Sequence, residues 1–202
     1  MARLITFGER PFIPSEFLYL VDRQESQSQL TETIFNRSAQ YFRERDIPWN
    51  INVSLADMQD ESIHRFLSDQ VQNYPNPRRV ALEVTAQNVL ADTETFDVFS
   101  HLCKKLRLSL FVDNVELEQD SIERLLALPI SALKMSGPML ASLAQDRLAQ
   151  SIVKTLSEQG ERKNIALVAQ HLESEEQLAL LKQLNVRYAQ GFFFSQPKAQ
   201  AH

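Results

Sequence analysis

Along this chain the spacing of apolar residues switches repeatedly between about two and about 3.6, and that alternation limits the fold more than any other feature. Period-two runs occupy Trp49 to Leu55, Arg79 to Thr85, Arg107 to Asp113, Ala132 to Ser136, Asn164 to Ala169 and Tyr188 to Phe194. Helical spacing fills the gaps over Ser28 to Arg45, Asp60 to Val71, Thr93 to Lys105, Asp120 to Leu126, Leu143 to Gln159 and Ser174 to Leu184. Ser174 followed by Gln177 has the form of a capping box, in which the hydroxyl accepts a first-turn N–H and the amide reaches back. With only four glycines, the turns rely on Pro, Asn and Asp, as in Tyr74-Pro-Asn-Pro77.

Strictly alternating strands and helices imply a parallel α/β sheet, because a helix must carry the chain back between neighbouring strands. A (β/α) TIM-type barrel and a doubly wound sheet both satisfy this. No Gly-x-Gly-x-x-Gly or Walker-type loop is present, which removes the best evidence for the doubly wound nucleotide-binding fold. In a barrel, functional side chains gather at the carboxyl ends of strands. Asn52, Glu83, Asp113, Lys134, Gln170 and Gln190 all fall at or near such ends. Each taken alone reads as a turn or cap residue; their recurrence in six successive units favours a barrel mouth.

At 202 residues and 44% hydrophobic content the chain can bury one substantial core, so a single domain over 1–202 is expected. Its net charge of -5 and scattered arginines give no footprint for a nucleic-acid backbone. The lone Cys103 lies at helical spacing from Phe96, Phe99 and Leu106 and reads as a packed thiol. No apolar run reaches the roughly 18 residues of a membrane span, and no cationic leader precedes one. A cytoplasmic setting is expected, with any membrane anchor lying on upstream segments of an inner-membrane parent.

The segments Ile51-Asn-Val-Ser54, Glu83-Val-Thr85, Phe111-Val-Asp-Asn114, Leu133-Lys-Met-Ser136, Val168-Ala-Gln-His-Leu-Glu173 and Gln190-Gly-Phe-Phe193 resemble, in order and spacing, the EAL domain of cyclic di-GMP phosphodiesterases. The resemblance implies an EAL barrel, amino-terminally truncated and lacking the family's first helix and strand. It carries Asn52, Glu83, Asp113, Lys134, Glu173 and Gln190 across as positions that in the family hold Mg²⁺ or Mn²⁺ or assist the attacking water. Arg3 resembles the arginine that contacts a phosphate of cyclic di-GMP. In this register the signature glutamate falls just before Met1.

Three positions depart from the family pattern. Asn114 stands in place of the second loop aspartate, Ser136 in place of the aspartate after the lysine, and Gln170 in place of a glutamate. Divalent cations prefer charged oxygen ligands, so these changes predict no bound metal or other cofactor and a degenerate domain without phosphodiesterase activity. The loop Val115-Glu-Leu-Glu-Gln119 replaces a glycine-rich run, and Glu116 and Glu118 either oppose a bound dianion or start a solvated helix.

Met1-Ala-Arg3 would continue a Glu-Leu-Met form of the signature, which resembles the CsrD/MshH group of regulators. That resemblance implies a protein-interaction module that binds the unphosphorylated glucose-specific enzyme IIA of the phosphotransferase system and controls small-RNA turnover. A cyclic di-GMP receptor without hydrolysis is the alternative. A barrel lacking its opening strands exposes a sheet edge, so a homodimer is an expectation as well. Phe192-Phe-Phe194 reads as a final strand buried on both faces, and Trp49 as core. His64, His101 and His171 have no metal-ligand spacing. His171, beside Gln170 at a strand end, is the one of the three worth mutating.

Overall fold

The computed structural model describes residues 27–116 and 119–195. Arg3 and Glu118 lie outside the described residues. In chain order the elements are α1 (Gln27–Phe42), β1 (Trp49–Asn52), α2 (Leu55–Gln59), α3 (Glu61–Gln72), a 3-10 turn at Pro77–Arg79, β2 (Val80–Thr85), α4 (Ala86–Ala91) and α5 (Thr93–Leu106). They continue with β3 (Ser109–Val115), α6 (Gln119–Leu126), β4 (Ala132–Met135), α7 (Gly137–Ser142), α8 (Arg147–Lys163), β5 (Ala166–Ala169), α9 (Glu175–Gln183) and β6 (Tyr188–Ala189). The six strands hydrogen-bond in sequence order, β1-β2-β3-β4-β5-β6, and the ladders from β3 to β6 are parallel. This is the α/β architecture expected from the alternating periods. No helix of the described residues is long and apolar enough to cross a membrane.

Among the described residues, those of 27–82 with 95–108 form one compact unit, and those of 83–94 with 109–195 the other. In the first, α1 and α3 pack their apolar stripes inward, and Phe35, Ile63, Leu67 and Val71 are buried. Trp49 is core, as expected: Phe35 meets it edge-on at 5.4 Å, Phe42 stacks on it at 5.9 Å, and its indole N–H donates to the Tyr74 hydroxyl at 2.9 Å. Ser54 and Asp57 form a reciprocal capping box at α2. Asp57 is almost fully buried, and its Oδ2 also accepts from the Thr31 hydroxyl at 3.0 Å, tying α1 to α2. His64 is structural, with Nε2 2.8 Å from the Met58 carbonyl. Cys103 sits on the buried face of α5, where desolvation pushes its thiol up to about 12.

In the second unit every residue of β4 is buried, as a parallel strand covered on both faces requires. Its α8 begins at Asp146, whose carboxylate accepts from the N–H groups of Leu148 and Ala149 at 2.9 and 3.0 Å. It buries Ala149, Val153, Leu156 and Gly160 at helical spacing and stops at Asn164, which adopts a left-handed conformation.

Four expectations are corrected. The run ending at Asp113 extends to Val115, and the β3–β4 register slips between Val112 and Val115, where Asn114 has a φ of 55°. The helix expected from Leu143 begins only at Arg147, where Asp146 can cap it. The three short helices α2, α4 and α7 follow directly on strands in stretches where no helix was expected. Finally, only Tyr188 and Ala189 of the last run form strand, and Phe192, Phe193 and Phe194 are 62%, 40% and 56% exposed instead of buried. Just past the strand Gly191 passes against Leu172: Phe193 N–H donates to the Leu172 carbonyl at 3.0 Å, and a Cβ at Gly191 would lie 2.1 Å from that oxygen.

Candidate functional site

The strands of the second unit set the site. Glu83 lies in β2 within a run of five buried residues, and Lys134 lies in the fully buried β4. Both are charged side chains removed from water, which is tolerable only if they pair. Lys134 Nζ donates to Glu83 Oε1 at 2.6 Å, a charge-assisted bond between side chains 6% and 7% exposed. The sequence put both residues at strand ends but gave no sign that they meet.

Asp113 is half-buried near the end of β3, and its Oδ1 accepts from the Asn114 N–H at 2.8 Å. Asn114 itself is exposed. Ser136 is buried at the end of β4, and its hydroxyl caps α7 by accepting from Met139 N–H at 3.3 Å. One strand further, Gln170 follows β5 and is buried, whereas Glu173 and Gln190 are exposed. The Glu173 N–H donates to Gln177 Oε1 at 2.9 Å, within the capping box that Ser174 and Gln177 form as expected. Gln190 is held through its main chain, its N–H on the Ala169 carbonyl at 2.8 Å and its own carbonyl accepting from Leu172 N–H at 3.0 Å. Asn52 is the exposed last residue of β1 and belongs to the other unit.

Beside Gln170, His171 takes a left-handed conformation with φ of 57° and is exposed. Its imidazole lies against the Cα of Gly137, where a Cβ would come within 2.8 Å of His171 Cδ2. Residues 136–137 and 170–171 directly follow the paired strand ends Met135 and Ala169, which explains why these two positions meet. An open cavity of about 320 Å³ lies there, lined by Gly137, Pro138, Ala141, His171, Glu173 and Gln177. Nothing in the sequence signals the Gly137 contact, since it depends on the register of β4 with β5.

The donors at these strand ends do not by themselves build a divalent-cation site. Among the described residues no three His, Cys, Asp or Glu side chains are grouped to hold a metal, and one oxygen of Glu83 is engaged by Lys134. The chemistry on view is that of an ion pair, buried polar groups and an open cleft facing water.

The family model described as EAL domain matches residues 2–197. Among curated proteins, the chain is 24% identical over 151 residues to the cyclic di-GMP phosphodiesterase PdeA of Borreliella burgdorferi, covering 74% of this chain and 22% of that protein. It is 26% identical over 193 residues to the bifunctional diguanylate cyclase/cyclic di-GMP phosphodiesterase MucR of Pseudomonas aeruginosa, covering 91% and 28% respectively. The chain thus spans about a quarter of the length of these relatives. Of solved structures, the FimX EAL domain of Xanthomonas citri in complex with cyclic di-GMP superposes with a TM-score of 0.89 at 16% identity, over 96% of this chain and 79% of that one. The PaMucR phosphodiesterase in its cyclic di-GMP complex gives 0.86 at 22% identity, over 96% and 82%. At these identities the structures share the fold.

The expectation of a non-enzyme is corrected here, because the relatives are named phosphodiesterases and no finding marks this chain as degenerate. Ser136 caps α7 and Asn114 occupies a left-handed turn.

Proposed function

This chain belongs to the EAL domain family, and on that premise we propose that it is the cyclic di-GMP-recognising domain of a longer signalling protein. The observation that carries the reading is the buried Lys134–Glu83 pair, in a domain whose fold is shared with structures solved in complex with cyclic di-GMP. An ammonium fixed by one carboxylate keeps two further N–H donors for a phosphodiester oxygen, and Glu83 sets its position. Gln170, Glu173 and Gln190 supply neutral and acidic hydrogen-bonding groups suited to a ribose or a base.

Calorimetric titration of the chain with cyclic di-GMP tests this. Saturable binding that weakens at least tenfold in Lys134→Ala, in a variant shown to be folded, is the expected result. No heat of binding from the intact domain at high micromolar ligand sinks the proposal. Product formation in the same samples with excess Mg²⁺ or Mn²⁺ reads hydrolysis directly.

The finer assignment rests on the Met1-Ala-Arg3 resemblance together with the replacements at Asn114, Ser136 and Gln170. We propose that the chain falls in the CsrD/MshH group, with unphosphorylated glucose-specific enzyme IIA as protein partner and a membrane-anchored parent. Pull-down with phosphorylated and unphosphorylated enzyme IIA tests that contact, and equal recovery of both forms, or of neither, rejects it.

A further inference from the structure

We propose that the turns leading into β1, β2 and β3 form a basic face that docks on an anionic lipid surface, a reading independent of cyclic di-GMP recognition. The cations are scattered along the sequence, but the fold gathers them. Residues 43–48, 73–79 and 104–108 hold seven lysines and arginines against two acids, a net of +5 in a chain whose total is -5. All three stretches belong to the same compact unit. Six of the seven cations are exposed, and the seventh, Arg79, is half-buried.

The first two turns touch. Arg43 donates to the Asn73 carbonyl at 3.3 Å, and Arg79 Nη1 lies 3.6 Å from Asp46 Oδ1. Lys104 and Lys105 lie in the last turn of α5, and Arg107 follows it on the way into β3, the neighbour of β2 in the sheet. Asp46 is 98% exposed, so water screens its contact with Arg79 and the field over these turns stays positive.

The apolar and aromatic residues of the face decide between polyanions. Ile47, next to Asp46, is 52% exposed in the midst of these charges. An isolated apolar side chain inside a basic rim gains nothing from a phosphate backbone, but it can enter the boundary between lipid headgroups and acyl chains. Nucleic acid would instead call for rings on which bases stack. Among the described residues of these turns and their flanks none is offered: Tyr41 is covered by the Arg45 guanidinium, 3.9 Å from its ring centre, Phe42 stacks on Trp49, and Trp49 and Tyr74 are buried.

Cosedimentation with vesicles of phosphatidylcholine alone, and of phosphatidylcholine with about a third phosphatidylglycerol, tests the face. The intact chain should bind the anionic vesicles only, and should be released in about 1 M salt, where the Debye length is about 3 Å. Reversing Arg78, Lys104 and Lys105 together to Glu should weaken binding at least about tenfold, with Tm and circular dichroism unchanged. The milder pair Lys104→Gln and Lys105→Gln should give an intermediate loss and serves if the triple variant fails to fold. Ile47→Ser should weaken binding with the same salt dependence, because it removes an apolar contact and no charge. No binding to anionic vesicles, equal binding to both kinds, or charge variants that bind like the intact chain overturn the proposal. Tighter capture by polyuridylate or polyglutamate at matched charge overturns lipid as the occupant of the face.

Discussion

Replacing Lys134 by Met removes one charge from the Glu83–Lys134 pair while keeping much of the side-chain volume, and the consequence for stability is large. Both side chains are more than nine-tenths buried and lie 2.6 Å apart. Without its partner, the Glu83 carboxylate must stay charged without water or take up a proton. Breaking a buried pair from one side costs about 3–5 kcal/mol. For a chain of this size, where 1 kcal/mol moves Tm by about 2–4 °C, the midpoint should fall by about 6–20 °C. Adding Glu83→Leu to Lys134→Met removes the orphaned charge, and the double variant should recover most of the loss, because apolar replacements of buried pairs are often near neutral. Urea unfolding followed by circular dichroism on the four proteins gives the coupling energy directly. A Lys134→Met penalty below about 1 kcal/mol, or a double variant no better than the single one, would refute the claim that these charges depend on each other.

Further tests address single features. Gly191→Ala places a Cβ 2.1 Å from the Leu172 carbonyl oxygen and 2.2 Å from its nitrogen, so it should destabilise by more than about 2 kcal/mol in urea and loosen exchange of the Leu172 and Phe193 amides. Cys103, buried and with its thiol raised to about 12, should resist aromatic disulfide reagents at pH 8 and react with one equivalent once the chain is unfolded. Asp60 caps α3 and accepts from Ser62 N–H at 2.7 Å and from the Ser28 hydroxyl at 2.9 Å; the side-chain bond to Ser62, followed by its other hydrogen bonds, holds the carboxyl below its ordinary 3.8. Since the folded form is the stronger acid, its contribution is complete above the ordinary value and disappears as the pH falls below 3.8. Asp60→Asn should therefore flatten the acid limb of the stability profile, and an unchanged limb would count against the cap.

Long elements were legible because their periods were. Residues such as Ile63, Leu67 and Val71, or Ala149, Val153 and Leu156, recur at helical spacing and are buried as that spacing requires. The helices α2, α4 and α7 are five or six residues long, too short for a period to show, although Ser54 with Asp57, Thr85 and Ser136 supplied caps for them. Phe192 to Phe194 misled because an apolar triplet reads the same in a buried strand and in an exposed turn, and the close passage of Gly191 against Leu172 beside it is invisible in the sequence. At the site, the residue types were readable while their partners were not. Glu83 and Lys134 are 51 positions apart, and only the sheet brings them into contact.

Left-handed corners at Asn114, Asn164 and Asn185 have a bearing on the unfolded ensemble. Glycine fits such corners without strain but leaves the denatured backbone free to wander, and this chain has only four glycines. Asparagine tolerates the same geometry at modest torsional cost and explores fewer conformations once released. Part of the domain's resistance to melting is therefore set where no contact exists, in the reduced disorder the chain regains when it comes apart.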